Sequence, residues 1–292
     1  MRRAAGLALI ALIVAMAMMP PPFDWTGHAA PPTTRIDLPG KRPANAIPVD
    51  VELVLAVDIS YSMDPDELAL QRDGYAQALI SHEFLTALRG GMHAQVAVTY
   101  VEWAGAGEQR VIVPWRLIDG PASAEKVSRE IAAAPLRRAY RTSISGALRF
   151  AAPLFDNSGY SGIRRVIDVS GDGANNQGPL VTVTRDDVVA KGITINGLPI
   201  MIKRPNASMS DIPNLDIYYE DCVIGGPGAF VVPIYEHAKF TEAIRTKLVL
   251  EIAGRVPEAR ILPAAAGAPR VSCTVGERMW QERWGSGGID VR

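Results

Sequence analysis

Val51-Glu52-Leu53-Val54-Leu55-Ala56-Val57-Asp58-Ile59-Ser60-Tyr61-Ser62 joins two kinds of sequence without a break. Its first seven residues are a nearly continuous apolar run. So short a run, with so little alternation, fits a strand buried on both faces of a parallel sheet. The next five residues place one carboxylate and two hydroxyls at alternate positions, just past the carboxyl end of that strand. A helix start follows: Asp64 reads as the N-cap, Pro65 takes the first helical position, and Glu67 lies three after the cap.

Working outward, the helix is predicted to run to about Ser81. Residues 95–101 and 110–115 read as two strands joined by a Gly-containing loop, an antiparallel hairpin. Residues 123–134 and 143–155 read as helices, the second with Ile144, Ala147, Leu148, Ala151 and Phe155 along one face. Residues 166–170 form a second buried strand, which ends in Gly171-Asp172-Gly173. A helix over 184–191 is stopped by Gly192. Strands follow at 193–200 and, briefly, at Val231-Val232, and a helix closes the pattern over 236–253. Strands alternating with helices predict an α/β fold, doubly wound: a mostly parallel central sheet with one antiparallel edge strand and helices on both faces. Ligands of such sheets sit at the carboxyl ends of the strands.

The flanks read differently. Arg2 and Arg3 precede an apolar run from Ala4 to Met19, the pattern of an export signal. We therefore expect a signal peptide over 1–30, a Pro-rich linker over 31–49, a folded domain over 50–254 and a C-terminal tail over 255–292. The chain is expected to be exported, to the periplasm or beyond. Membrane contact is expected only if the N-terminal segment stays uncleaved. The 292 residues are 48% hydrophobic and 21% charged, enough for a packed core. A formal net charge of -1 argues against a general nucleic-acid binder. Arg137, Arg138 and Arg141 make a local basic cluster, which by itself reads as a solvated loop. Two cysteines, Cys222 and Cys273, offer one intramolecular pairing, and two separate thiols are the alternative. Trp103 and Trp115 read as packing residues of the hairpin.

The chemistry lies in three fragments. Asp58, Ser60 and Ser62 can converge above a strand end, and all offer oxygen, as a hard cation such as Mg²⁺ requires. Thr142 stands at the mouth of a helix. Asp172 follows the other buried strand between glycines that permit close approach. Each fragment alone has a plain reading: a helix cap for Asp58, Ser60, Thr142 or Ser143, and a common turn for Asp-Gly. Together they place oxygen on one rim from three separate stretches.

This arrangement resembles the metal-ion-dependent adhesion site of the von Willebrand factor A family, over residues 50–253. Asp58, Ser60 and Ser62 match its Asp-x-Ser-x-Ser, Thr142 its threonine and Asp172 its last aspartate. Residues 218–228 resemble those of a bacterial secreted branch (DUF1194-type). The chain departs from many relatives at Arg141, where they have Gly, and at Gly171, where they have Thr. The resemblance implies a site for Mg²⁺, with Mn²⁺ or Ca²⁺ as alternatives, that engages a carboxylate of a protein ligand and catalyses nothing. Two other readings compete. A phosphohydrolase with Asp58 as nucleophile would want a second Asp two positions on, where this chain has Ser60. A structural envelope domain would keep the fold without a working metal site.

Overall fold

The computed structural model describes residues 45–202, 212–254 and 269–285, all of them in one unit, Pro39–Arg292. Five strands form one sheet in the order β3-β2-β1-β4-β5. They are β1 Ile47–Asp58, β2 Val96–Trp103, β3 Gln109–Ile118, β4 Tyr160–Gly171 and β5 Thr194–Pro199. Strands β1, β2, β4 and β5 run parallel, and β3 pairs antiparallel with β2 at the edge. This is the sheet that the alternating pattern predicts.

The described helices of eight or more residues are α1 Pro65–Leu79, α2 His82–Arg89, α3 Pro121–Ala132, α4 Ile144–Ala151, α5 Val181–Ala190, α6 Phe240–Ala253 and α7 Val275–Trp284. They cover both faces because β1 is apolar on both. Val51, Leu53, Leu55 and Val57 enter one cluster with Tyr75, Phe84, Val127 and Leu248, from α1, α2, α3 and α6. Val54 and Ala56 enter the other with Leu148 and Val188, from α4 and α5. Period-two alternation thus sends each half of the strand to its own core. Trp103 is fully buried in the second core and Trp115 packs against it. Helix α1 begins as expected: the Asp64 carboxylate accepts from the Glu67 N–H at 2.8 Å, and Glu67 accepts from the Asp64 N–H at 3.0 Å.

Several boundaries differ. The helix expected to reach Ser81 is two helices, because the Ser81 hydroxyl accepts from the Phe84 N–H at 3.2 Å and caps α2. Strand β1 begins at Ile47, inside the stretch expected to be linker, and pairs there with Tyr160. The strand expected at Val231-Val232 is reduced to isolated bridges, Gly197 with Val231 and Ile200 with Ile234. The stretch expected as a tail carries α7. Cys222, in the π-helical turn Tyr219–Val223, is disulfide-bonded to Cys273. The expected signal peptide and linker lie outside the described residues, apart from residues 45–49. Among the described residues no helix is long and apolar enough to cross a membrane.

Candidate metal centre

Strand register builds the site. Val57 of β1 lies opposite Ser170 of β4, so both chains leave the sheet side by side. Asp58 and Asp172 therefore reach the same rim. The Ser60 N–H donates to Asp58 Oδ1 at 2.7 Å and turns the chain after β1. Ser60 Oγ and Ser62 Oγ are 2.6 Å apart, and Ser62 Oγ donates to Asp172 Oδ1 at 2.6 Å. Four of the five expected residues thus form one hydrogen-bonded set.

Thr142 arrives by a separate route. Ser60 bridges Ala139 in parallel; the Tyr61 N–H donates to the Ala139 carbonyl at 3.0 Å, and the Ala139 N–H to that of Ile59 at 3.0 Å. The segment leading to Thr142 is thereby laid along the loop that carries the serines. Asn176 holds Thr142 through both backbone groups, at 3.0 and 2.8 Å. A β-carbon placed on Gly173 would lie 3.6 Å from Thr142 Oγ1. Of Asp58, Ser60, Thr142 and Ser143, the possible caps, Ser143 alone is one. Asp64 caps α1, and Ser143 caps α4 by accepting from the Gly146 N–H at 3.0 Å. The oxygens of Asp58, Ser60 and Thr142 are not used as caps.

The electrostatics are lopsided. Asp58 is fully buried, and its Oδ2 accepts no hydrogen bond among the described residues. Burial first, and then the charge of Asp172, hold its carboxyl well above the usual carboxylate range. Gly171 makes the close approach feasible: a β-carbon there would sit 2.8 Å from Asp58 Oδ2 and 3.0 Å from the Tyr219 hydroxyl. Tyr219 is a member of this site that sequence reading missed. Its hydroxyl is buried without a partner, and burial, with the Asp58 charge next in weight, raises it well above the ordinary phenol value. Nothing local to Tyr219 marks it, since it enters from a turn far beyond Asp172.

A buried carboxylate oxygen left without a partner is costly. Two acids and two serine hydroxyls meet here, with Thr142 on the adjoining segment, and oxygen donors of this kind fit a small hard cation. No group of three or more His, Cys, Asp or Glu side chains that could hold a metal occurs among the described residues. A cation here would depend on hydroxyls for most of its protein ligands. Arg141, just before Thr142, has φ 74°, the left-handed region that favours glycine. That geometry costs an arginine about 1–2 kcal/mol. The Arg141 guanidinium lies over the Trp280 ring, 3.2 Å from its centroid. Tyr61 and Tyr140, both exposed, stack at 4.4 Å on the rim, and Arg138 lies 4.6 Å over Tyr61.

Solved structures share the fold. Proximal thread matrix protein 1 of the mussel byssus aligns with a TM-score of 0.50 at 16% identity, over 72% of this chain and 49% of its own. A structure of that protein with a zinc-occupied MIDAS motif aligns at 0.49 and 15% identity, over 72% and 49%. A von Willebrand factor type A protein from Catenulispora acidiphila aligns at 0.48 and 17% identity, over 70% and 43%. This chain spans about half the length of the mussel protein, and the likeness concerns the fold alone. Among curated proteins none matches the sequence. A family model described as protein of unknown function, DUF1194, matches residues 48–256, most of the chain; the protein belongs to that family and has a von Willebrand factor A-like fold.

Proposed function

We propose that the protein is a divalent-cation-dependent binding module, not an enzyme, which uses the ion to grip a carboxylate of a protein partner. Ser60, Ser62 and Thr142 would hold Mg²⁺ through hydroxyls, and Asp58 and Asp172 through carboxylates, directly or across water. Mn²⁺ and Ca²⁺ are the alternatives. The observation that carries this reading is the buried, unpartnered Oδ2 of Asp58 beside a second carboxylate. When bound, a divalent ion would supply Lewis acidity, and with neutral hydroxyls for most of its protein ligands it would keep an affinity for an anionic ligand. The chain's own residues do the rest. Gly171 lets Asp58 approach the rim, Ser62 orients Asp172, and Arg138 adds positive charge beside the exposed Tyr61–Tyr140 stack. That rim suits an acidic protein surface better than a nucleic acid, given the net charge of -1. The disulfide accords with an exported protein, periplasmic or secreted.

Calorimetric titration of Mg²⁺ and Mn²⁺ into wild type and Asp58→Ala tests the metal site. Saturable heat in wild type alone is expected, and equal, negligible heats in both would sink the reading. Pull-down from an envelope extract, with and without chelator, tests the partner. A protein retained by wild type is expected to be lost on chelation and absent with Asp172→Ala.

A further inference from the structure

The chain beyond residue 254, to which the metal reading gives no role, returns to the site. Helix α7 meets the ligand-bearing loops at two points. At the first, Glu277 Oε1 accepts from Asn175 Nδ2 at 2.7 Å. Asn175 lies three residues after Asp172, and its Oδ1 accepts from Ser145 N–H at 3.0 Å and Ser145 Oγ at 3.1 Å. One buried amide thus ties the loop of Asp172, the start of α4 and α7 together. Gly276 lies so close that a β-carbon would come within 2.2 Å of the Asn175 carbonyl oxygen. At the second point Trp280 lies against the guanidinium of Arg141, the residue before Thr142. The segment before α7 is fastened beside Tyr219: Cys273 is bonded to Cys222, and Arg270 donates to Glu220 at 2.6 Å and to Asp221 at 2.7 Å.

We propose that α7 is part of the frame of the metal centre, with Glu277 and Trp280 as positioning residues for Asp172 and Thr142. The inference rests on the cation reading above. Arg141 holds a backbone conformation that an arginine rarely adopts, so an outside contact that fixes its side chain also fixes where Thr142 begins. Asn175 orients its amide by donating to Glu277 and accepting from Ser145, so removing the carboxylate loosens the loop that carries Asp172. A tail that merely covered apolar surface would not need to meet a buried amide and a strained arginine.

The test uses the full chain and Mn²⁺ as probe. Glu277→Ala and Trp280→Ala are each expected to weaken Mn²⁺ binding about tenfold, the usual scale for outer partners of metal ligands. Glu277→Gln keeps an oxygen for Asn175 and Trp280→Phe keeps a ring for Arg141, so both are expected to stay near wild type. Glu282→Ala, on the exposed side of α7, is the control. Amide hydrogen exchange over residues 139–146 and 172–178 is expected to quicken in the alanine variants alone. Wild-type affinity and unchanged exchange in both alanine variants would overturn the proposal. If wild type bound no Mn²⁺, the cation reading would fall, and exchange alone would judge whether α7 holds the loops: quickened exchange supports that hold, unchanged exchange removes it.

Discussion

Ser62 Oγ donates to Asp172 Oδ1 at 2.6 Å, across 110 residues of sequence. This bond serves one oxygen of Asp172, while Asp58 is served on one side only. Asp58 has the Ser60 N–H on Oδ1 and nothing on Oδ2. The unmet demand of the site is therefore concentrated on one atom, buried beneath Gly171 and Tyr219. A cation held by these residues would satisfy that atom.

Asp58→Asn is expected to stabilise the cation-free protein and to abolish stabilisation by Mg²⁺. The folded state raises the Asp58 carboxyl, through burial and then Asp172, so the folded chain holds that proton to higher pH than the unfolded one. Stability is thus greatest below the unfolded value and is lost as pH rises through the folded one. At neutral pH a neutral isostere avoids this loss, and its amide lies near the Tyr219 hydroxyl. Wild type should gain about 2.7 kcal/mol at a Mg²⁺ concentration one hundred times Kd. Thermal melts in chelator and in Mg²⁺ decide the matter: a variant less stable than wild type in chelator contradicts the argument.

Gly171→Ala and Gly173→Ala should part company. At 171 the new carbon meets Asp58 Oδ2 at 2.8 Å and the Tyr219 hydroxyl at 3.0 Å, both on buried side chains. Something in the site must shift, at a cost of about 1–3 kcal/mol, and cation binding should weaken with it. At 173 the nearest atoms belong to Thr142, at 3.6 and 3.7 Å, ordinary contact. There, a change within about 0.5 kcal/mol is expected. Paired melts and Mn²⁺ titrations would expose the error if both variants behaved alike.

Asp58, Ser60, Ser62 and Asp172 could be picked out as candidates because they follow strands whose pattern is strong, and Thr142 because it stands just before the cap of α4. Both faces of β1 are buried, so Val51 to Val57 reads as a nearly continuous apolar run, broken only by Glu52. The first half of β4 was not legible, since Tyr160, Ser161, Gly162, Arg164 and Arg165 mask a strand whose pairing with β1 is plain in the register. Tyr219 reaches Asp58 through tertiary packing alone, and no local period announces it. Helix α7 docks through contacts at Gly276, Glu277 and Trp280 and a narrow apolar edge of Val275 and Met279, not a broad apolar face, so its sequence reads as tail. The pairing of Cys222 with Cys273 depends on that docking and was open for the same reason.

Below the sheet, Lys247 of α6 pairs with both Asp168 of β4 and Glu251, the latter at 2.5 Å, all three fully buried. One ammonium faces two carboxylates, with Tyr75 beside Asp168, Asn196 beside Glu251 and Arg164 close enough to feel Glu251. Burial and then the Asp168 charge push Glu251 up to about 7, against a usual value of 4.5. The folded chain therefore holds this proton where the unfolded chain has released it. Stability should fall as pH rises from about 4.5 to about 7, by a contribution on the order of 3 kcal/mol. Glu251→Gln removes the titration, so the difference between wild type and variant should grow across that window and level off above it. Denaturant melts at intervals between pH 4 and 9 would show a constant difference if the argument were wrong.

The Cys222–Cys273 bond closes a loop of sequence separation 51, which in the chain-entropy account stabilises by about 4 kcal/mol. Where that stability is felt depends on what docks α7. The helix has ten residues, too few to persist alone in water, and Val275 and Met279 are only partly buried against the second core. Cys222 itself is fully buried in that core. The double variant Cys222→Ser, Cys273→Ser should therefore free α7 first and leave the sheet folded. Amides of α7 should then exchange far faster than those of β1, whereas in the oxidised wild type the two should lie closer together. If α7 stayed as protected as β1 without the bond, its polar contacts with Asn175 and Arg141 would be stronger anchors than the disulfide.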